Sequence, residues 1–160
     1  MTVLVALVGL PGAGKSQLAR AIAEEKRWLI VNRDAFPREQ FDEAAKAAAT
    51  DATFAAVCEK LLEGQSCILE GMTLSSTQQR NRVREVARHC AAQALLFWLD
   101  CPVEVAIARI TAQSDHPSKD RSPALVREVA VRFAQPERDV LRLDARRATG
   151  ELLQQVLRVL

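Results

Sequence analysis

The chain is poor in the residues that build disulfide-linked, zinc-binding and membrane-spanning proteins. Its four cysteines, which are Cys58, Cys67, Cys90 and Cys101, lack CxxC spacing. Only two histidines could join them in a metal site. This distribution favours reduced thiols over disulfides or zinc. The first apolar run, residues 3–8, is far shorter than the roughly 18 residues of a membrane span, and no basic leader precedes it. We therefore expect a cytoplasmic location and no membrane association.

Aromatic rings and excess charge are also scarce. Aromatic residues make up 4% of the chain and tyrosine is absent, so a platform of rings for stacking a single strand has little to be built from. The net charge of +2 is too small to indicate a nucleic-acid surface. An oligonucleotide end held in a small pocket stays compatible with both facts. The 160 residues, 49% of them hydrophobic, fit a single domain over 1–160, with no obligate protein partner evident.

A glycine-rich run follows the first apolar segment directly. Residues 9–16, GLPGAGKS, match the phosphate-binding pattern GxxxxGK[ST]. Glycines let backbone amides turn inward around an anion, the lysine reaches the outer phosphates, and the serine hydroxyl completes magnesium coordination. The next residues read as a helix whose positive end faces the same phosphates. The predicted nucleotide site consists of Gly9, Pro11, Gly12, Ala13, Gly14, Lys15, Ser16 and Gln17.

Short apolar runs alternate with longer helical patterns along the chain, which is typical of an α/β protein with a parallel sheet covered on both faces. Five strands are predicted, at 3–8, 28–31, 67–69, 94–99 and 140–143. Helices are predicted at 15–25, 42–63, 77–90, 103–112 and 124–134, with a last one capped by Thr149. Two further expectations are a break in the second helix at Thr50 or Asp51 and a capping box of Ser75 with Gln78. The irregular segment after the fourth helix predicts a mobile lid over about 109–121.

Polar residues follow successive predicted strands, at the edge where a doubly wound sheet forms its ligand crevice. Asp34, after the second strand, is our candidate for the general base that takes a proton from an acceptor hydroxyl. Its alternative role is to cap the helix that follows. Glu70, after the third strand, is the candidate acidic partner of magnesium, together with Ser16, and its alternative is a solvated strand end. Thr73, three residues further on, is predicted to bind the acceptor.

Two arginines bracket the predicted lid. Negative charge spreads over three oxygens of a phosphoryl group in transfer, so arginines are expected where it develops. Arg109 is a candidate for that role, although it could equally stabilise the end of its helix. Arg121 is the second candidate, and its alternative role is that of an exposed charged residue in a loop. Arg33 and Arg38 flank Asp34 and could hold an anionic acceptor, and of these we favour Arg38.

These residues together resemble a known family. Four segments are similar to the small P-loop kinases typified by phage polynucleotide 5′-hydroxyl kinase and by bacterial kinase-like ATP-binding domains: GLPGAGKSQLARAIAE, VNRDAF with Arg38 close behind, ILEGMTLSS followed by Arg80 and Arg82, and LDCPVEVAIARI. The similarity covers residues 1 to about 145. It implies a P-loop kinase fold, with ATP and Mg²⁺ held by Lys15 and Ser16. It further implies that Asp34 activates the acceptor hydroxyl, Arg38 engages acceptor phosphate and Arg109 clamps the donor.

The predicted function is therefore transfer of the γ-phosphoryl of ATP to a hydroxyl acceptor, either a small molecule or a polynucleotide 5′ end. The alternative is a regulatory module that binds ATP without catalysis or hydrolyses it slowly. That alternative stays open because two expected catalytic positions are altered: Glu70 stands where aspartate is usual in the family, and Gln113 stands where the family often has a second lid arginine. The guanine-reading tetrapeptide NKxD is absent, which argues against the GTPase branch.

Overall fold

The computed structural model describes residues 1–36, 42–113 and 121–160. Its five strands form one sheet in the order β2-β3-β1-β4-β5, and every neighbouring pair is parallel. The strands are β1 (Val3–Val8), β2 (Leu29–Asn32), β3 (Cys67–Glu70), β4 (Gln93–Asp100) and β5 (Leu141–Asp144). The predicted α/β fold with a five-stranded parallel sheet is confirmed.

Six helices and one short turn accompany these strands within the described residues. The helices are α1 (Lys15–Lys26), α2 (Glu43–Leu62), α3 (Thr77–His89), α4 (Val103–Ala112), α5 (Pro123–Arg132) and α6 (Thr149–Leu157). A 3-10 turn, Arg33–Ala35, follows β2. None of the described helices is both long and apolar enough to cross a membrane.

The side chains of β1 alternate between two hydrophobic cores, one on each face of the sheet. Val5 and Leu7 pack with residues of α1, α4, α5 and α6, whereas Leu4 and Ala6 pack with residues of α2 and α3. All four side chains are at most 1% exposed. Successive side chains of a strand point to opposite faces, so a continuous apolar run is what a strand covered on both sides requires. The prediction of helices on both faces is therefore confirmed.

Helix α2 continues through the position where a break was expected. The buried hydroxyl of Thr53 donates a hydrogen bond to the carbonyl of Ala49, one turn earlier, and thus needs no partner outside the helix. Asp51 points outward, where it pairs with Arg82 of α3. The alanine-rich sequence then keeps the helix intact, because alanine has the highest helix propensity.

Two predicted caps lie one residue away from their observed positions. The capping box of α3 is formed by Ser76 with Gln79, each side chain accepting a hydrogen bond from the other residue's backbone amide. Ser75 instead lies buried, and its carbonyl accepts a hydrogen bond from the amide of Ala134. At α6 the cap position belongs to Ala148, and Thr149 is the first helical residue. At α3 the burial of Ser75 and its contact with Ala134 leave the cap position to the neighbouring Ser76.

A buried arginine fixes the loop that follows β3. Arg80 of α3 is fully buried, and its guanidinium donates hydrogen bonds to the carbonyls of Leu74 and Ala134 and to the carboxylate of Glu137. Burial by itself would raise the pKa of Glu137. The hydrogen bond from Arg80, a backbone hydrogen bond and the charges of Arg80 and Arg84 outweigh this effect and lower the pKa to about 2. The loop between β3 and α3 is thereby joined to the segment before β5.

All four cysteines are free thiols, as expected. The sulfur atoms of Cys58, near the end of α2, and Cys90, at the end of α3, lie 2.8 Å apart. Burial raises the pKa of Cys90 to about 11, assisted by the hydrogen bond with Cys58, and burial raises the pKa of Cys67 to a similar value. These thiols belong to the core and its margin.

Candidate active site

A cleft opens at the carboxyl ends of β1, β2 and β3, where parallel α/β sheets bind their ligands. It gathers ten of the residues predicted for the site: Pro11, Gly12, Gly14, Lys15, Ser16, Gln17, Asp34, Glu70, Thr73 and Arg121. The cleft also contains Arg33, the less favoured of the two arginines that flank Asp34, and five residues that were not predicted for the site, namely Arg20, Gly71, Met72, Gln113 and Leu125. Arg38 and residues 114–120 of the predicted lid lie outside the described residues.

The phosphate loop is shaped by two glycines with positive φ. Gly12 has φ +84°, and a Cβ there would lie 2.4 Å from the carbonyl oxygen of Ala106 in α4. Gly14 has φ +99° and occupies the N-cap position of α1. Side chains with a Cβ rarely adopt such backbone angles, and at Gly12 the neighbouring helix leaves no room for one. The loop therefore turns back onto the start of α1, as an anion cradle requires.

The ammonium of Lys15 lies inside this loop. Its Nζ donates hydrogen bonds to the carbonyl oxygens of Gly9 and Leu10, both at 2.8 Å. Burial of the ammonium, together with the charge of Arg121, lowers the pKa of Lys15 to about 7, although Glu70, Cys101 and Asp34 act in the opposite direction. A lysine in this state gains charge when an anion enters the loop, because the negative charge of a triphosphate stabilises the ammonium form.

Ser16 and Glu70 meet across the cleft. The hydroxyl of Ser16, in the first turn of α1, donates a hydrogen bond to Oε1 of Glu70 at the end of β3. Hydroxyl and carboxylate oxygens are ligands that Mg²⁺ accepts, usually alongside water and substrate phosphates. The donor set therefore fits magnesium. The described residues contain no group of three or more His, Cys, Asp and Glu side chains that could hold a metal by themselves.

Asp34 is held at the cleft by its neighbours in the chain and in the sheet. The side chain of Asn32 accepts a hydrogen bond from the amide of Asp34 at 2.9 Å and so caps the 3-10 turn. Gly71, which follows β3, packs tightly against this turn: a Cβ there would lie 2.3 Å from Oδ1 of Asn32 and 3.0 Å from the amide of Asp34. Asp34 thus stands on a turn fixed from two sides, within the same cleft as Lys15.

Arg109 lies behind the phosphate loop and is not among the residues that line the cleft. Its guanidinium donates hydrogen bonds to the carbonyl of Ala13, at 3.0 Å, and to the carbonyl of Ala145, at 2.7 Å. The side chain thereby joins the loop to the segment that follows β5. In this position the arginine orients the loop through its backbone, and its contact with the transferring phosphate stays a prediction.

Gly9 and Ala13 also support the loop from behind. The amide of Gly9 donates a hydrogen bond to the carbonyl of Thr73 at 3.0 Å, which joins the loop after β1 to the loop after β3. Ala13 is 1% exposed and belongs to the hydrophobic core. Both residues therefore shape the cradle from outside the cleft lining.

Three arginines bring positive charge to the cleft. Arg121 donates a hydrogen bond to the side chain of Gln113 at 3.0 Å, and burial lowers its pKa against the opposite influence of Asp34 and Glu70. Arg33 and Arg20 are the other two. The signal for Arg20 was present in the sequence, because it lies four residues after Ser16 and hence on the same face of α1.

The comparisons with known proteins agree with this geometry. Residues 4–136 match the family model described as an AAA domain. The chain belongs to this AAA domain family. No curated protein sequence is significantly similar to it.

Several solved structures share the fold of this AAA domain protein. A sugar kinase from Janibacter sp. HTCC2649 has 19% identity and a TM-score of 0.78, with 99% of this chain and 94% of that chain covered. The APS kinase CysC of Mycobacterium tuberculosis, solved with AMPPNP and APS, has 20% identity and a TM-score of 0.71 over 99% and 96%. A chain of the Pnkp1/Rnl/Hen1 RNA repair complex has 23% identity and a TM-score of 0.69 over 82% and 44%. The expected fold, that of a small P-loop kinase, is confirmed.

Proposed function

We propose that the protein is an ATP-dependent phosphotransferase that moves the γ-phosphoryl group of ATP to a hydroxyl acceptor. The observation that carries the proposal is the placement of Asp34 in one cleft with Lys15 and the Ser16–Glu70 pair. A phosphate cradle alone would serve a binding module. A carboxylate in the same cleft adds the group that a hydroxyl nucleophile needs.

In the proposed reaction, the ammonium of Lys15 and the amides of the loop hold the β- and γ-phosphates. Asp34 accepts the proton of the acceptor hydroxyl, whose oxygen forms a bond to the γ-phosphorus while the bond from that phosphorus to the bridging oxygen of ADP breaks. Arg121 lines the cleft and would offset charge on the transferring group. Ser16 and Glu70 would hold Mg²⁺, which when bound neutralises phosphate charge.

The charge of the cleft supports an anionic donor. Its described lining contains four basic side chains and two acidic ones: Lys15, Arg20, Arg33 and Arg121, against Asp34 and Glu70. A triphosphate with its magnesium ion balances such a site, and the remaining arginines could hold an anionic acceptor. A small molecule and a polynucleotide 5′ end are both acceptors of this kind.

The test is to incubate the protein with γ-labelled ATP, Mg²⁺ and a panel of sugars, nucleosides, antibiotics and 5′-hydroxyl oligonucleotides. The proposal expects label on one class of acceptor, and loss of that label in Lys15→Ala. The rival is a regulatory module that binds ATP without catalysis or hydrolyses it slowly. Label found only as free phosphate, with no acceptor accelerating its release, would favour that module.

A further inference from the structure

A second groove lies between α2 and α3 and borders the cleft on the side of Asp34. Met72, two residues after the end of β3, lines both the groove and the cleft. A second connection runs through Thr50, a groove residue whose hydroxyl accepts a hydrogen bond of 3.5 Å from Arg33 of the cleft. Since Asp34 follows Arg33 directly, the groove continues from the acceptor side of the site.

One guanidinium in this groove is held in a fixed position. Arg82 of α3 lies over the ring of Phe54, with its Cζ 4.4 Å from the ring centroid. Its Nη2 forms an ion pair of 2.6 Å with Asp51 of α2. Phe54 is 3% exposed, whereas the side chain of Arg82 is 41% exposed. The guanidinium is therefore supported from below by a buried ring and at its edge by a carboxylate, and it remains open to a ligand.

A supported guanidinium of this kind selects the chemistry of its ligand. Guanidinium planes stack on the π-faces of planar bases, in the same way as aromatic side chains do. Sugar rings have no π-face and pack instead on exposed aromatic rings, but the face of Phe54 is already covered by Arg82. The few aromatic residues of the chain thus do not prevent stacking at this site, because an arginine supplies the plane.

The rim of the groove supplies hydrogen-bonding groups. Gln78 and Asn81 contribute side-chain amides, and Glu85 contributes a carboxylate. Amides both donate and accept hydrogen bonds, and a carboxylate accepts them, so the rim suits the mixed edge of a heteroaromatic ring. Asp51 forms an ion pair with Arg82, and Glu85 adds a second carboxylate to the groove lining, which favours an uncharged ring over a further anionic group.

We propose that the α2–α3 groove binds a planar heteroaromatic ring of the acceptor, of the nucleobase type, stacked on the guanidinium of Arg82. This inference rests on the proposed phosphotransferase function and specifies its acceptor. The hydroxyl that receives the phosphoryl group lies at Asp34, and the ring reaches past Met72 into the groove. Nucleosides and oligonucleotides with a free 5′-hydroxyl are acceptors with this arrangement.

The experiment compares adenosine and ribose as ligands, with the phosphate loop saturated by a nonhydrolysable ATP analogue and Mg²⁺. Binding is measured by equilibrium dialysis in the wild type, in Arg82→Ala and in Arg82→Lys. Arg88→Ala is the matched control, because Arg88 is an exposed arginine of the same helix that does not line the groove. Thermal unfolding of each variant checks that the pair of helices is intact.

We expect adenosine to bind the wild type and the Arg88→Ala control alike, and ribose to bind far more weakly. Arg82→Ala should weaken adenosine binding by about 5- to 150-fold, the range for the loss of one base stack. Arg82→Lys should weaken it comparably, because lysine keeps the charge but lacks the plane. Full binding by Arg82→Lys, or equal binding of ribose and adenosine, would overturn the proposal.

Kinetic measurements separate this inference from the proposed function. With a nucleoside that serves as acceptor, Arg82→Ala should raise the KM for that nucleoside with little change in kcat. Loss of the general base instead lowers kcat. If ATP is turned over onto sugars and Arg82→Ala has no effect, the phosphotransferase survives and the groove assignment is wrong. If no acceptor is phosphorylated, the function fails, while the dialysis result still decides whether Arg82 binds the ring.

Discussion

The hydroxyl of Ser16 donates a hydrogen bond to the carboxylate of Glu70, although the two residues are 54 positions apart in the chain. Parallel pairing of β3 beside β1 brings them together, because the loop after β1 and the end of β3 then meet at one edge of the sheet. Glu70 is 9% exposed, so its carboxylate is not a solvated strand end. The contact places a hydroxyl oxygen and a carboxylate oxygen beside the phosphate loop. This is the arrangement that a magnesium–nucleotide site needs.

Binding of ATP should be coupled to proton uptake by Lys15. With a pKa of about 7, Lys15 is neutral in about nine-tenths of the protein molecules at pH 8 before ATP binds. A bound triphosphate restores the charged form. We therefore expect an uptake of about 0.9 proton per site at pH 8. At pH 6 Lys15 is already charged, so the uptake should fall towards zero. Calorimetry in buffers of different ionisation enthalpy measures this number directly.

Arg121→Gln provides the control for this measurement. The charge of Arg121 helps to lower the pKa of Lys15, so its removal should raise that pKa and reduce the proton uptake at pH 8. Uptake that is zero at both pH values in the wild type would show that Lys15 is fully charged in the empty loop. The lowered pKa of Lys15 would then be wrong.

Gly71→Ala should reduce activity much more than Gly64→Ala. Both glycines have φ above +80°, so alanine costs about 1–2 kcal/mol of backbone strain at either position. At Gly64 no atom lies within 4 Å of the added Cβ, whereas at Gly71 the Cβ would lie 2.3 Å from Oδ1 of Asn32. That collision displaces the hydrogen bond from Asp34 to Asn32. Comparison of kcat and of unfolding free energy for the two variants tests this, and equal losses would refute it.

Arg80→Met should destabilise the protein strongly. The substitution leaves the carbonyl of Leu74 without its donor and Glu137 with only its 3.4 Å contact to Arg84, and removal of one member of a buried ion pair costs up to about 3–5 kcal/mol. Arg142→Met is the control, because the pair of Arg142 with Asp100 is exposed and such pairs contribute about 1 kcal/mol or less. Denaturant unfolding at pH 7 measures both. Similar midpoints for the two variants would contradict the role of Arg80.

The Arg80–Glu137 pair also predicts a specific loss of stability in acid. The pKa of Glu137 is lowered from 4.5 to about 2 in the folded chain, so its contribution is complete above pH 4.5 and disappears as the pH falls towards 2. Glu137→Gln should lack this component of the pH dependence between those values. Parallel stability curves for wild type and variant across this window would show that the pair does not form.

The buried thiols should resist modification in the folded protein. Burial raises the pKa of Cys67 and Cys90 to about 11, so thiol reagents at pH 8 find almost no thiolate at these positions. In urea all four cysteines should react. A count below four in urea would reveal a disulfide, and the neighbouring pair Cys58 and Cys90 would be the first place to look for it.

The phosphate loop, the order of elements and the position of Asp34 could be predicted from the sequence because each rests on a local pattern. Alternation of apolar runs with helices specifies a parallel sheet, and GxxxxGK[ST] specifies the loop. The role of Arg109 was harder to predict, since its partners Ala13 and Ala145 are backbone carbonyls that carry no signal in their side chains. Arg80 was equally obscure: nothing local distinguishes a buried arginine from an exposed one.

The groove at Arg82 illustrates the same limit. Its guanidinium, its ring and its carboxylate come from two helices, and they meet only because α2 and α3 cover the same face of the sheet. In sequence, Phe54 is a core position of one helix and Arg82 a charge on another. Their combination into a stacking plane is a property of the packing, and composition alone suggested that no such platform existed.

The most direct test of the whole account is the rate of label transfer from γ-labelled ATP to the identified acceptor by wild type and Asp34→Asn at saturating ATP, with Glu25→Gln as a surface control. If Asp34 is the base, the Asp34→Asn rate should fall by about 10²- to 10⁴-fold while the dissociation constant for ATP stays within a few-fold and the control behaves like the wild type. An Asp34→Asn variant that transfers label at the wild-type rate would contradict the account.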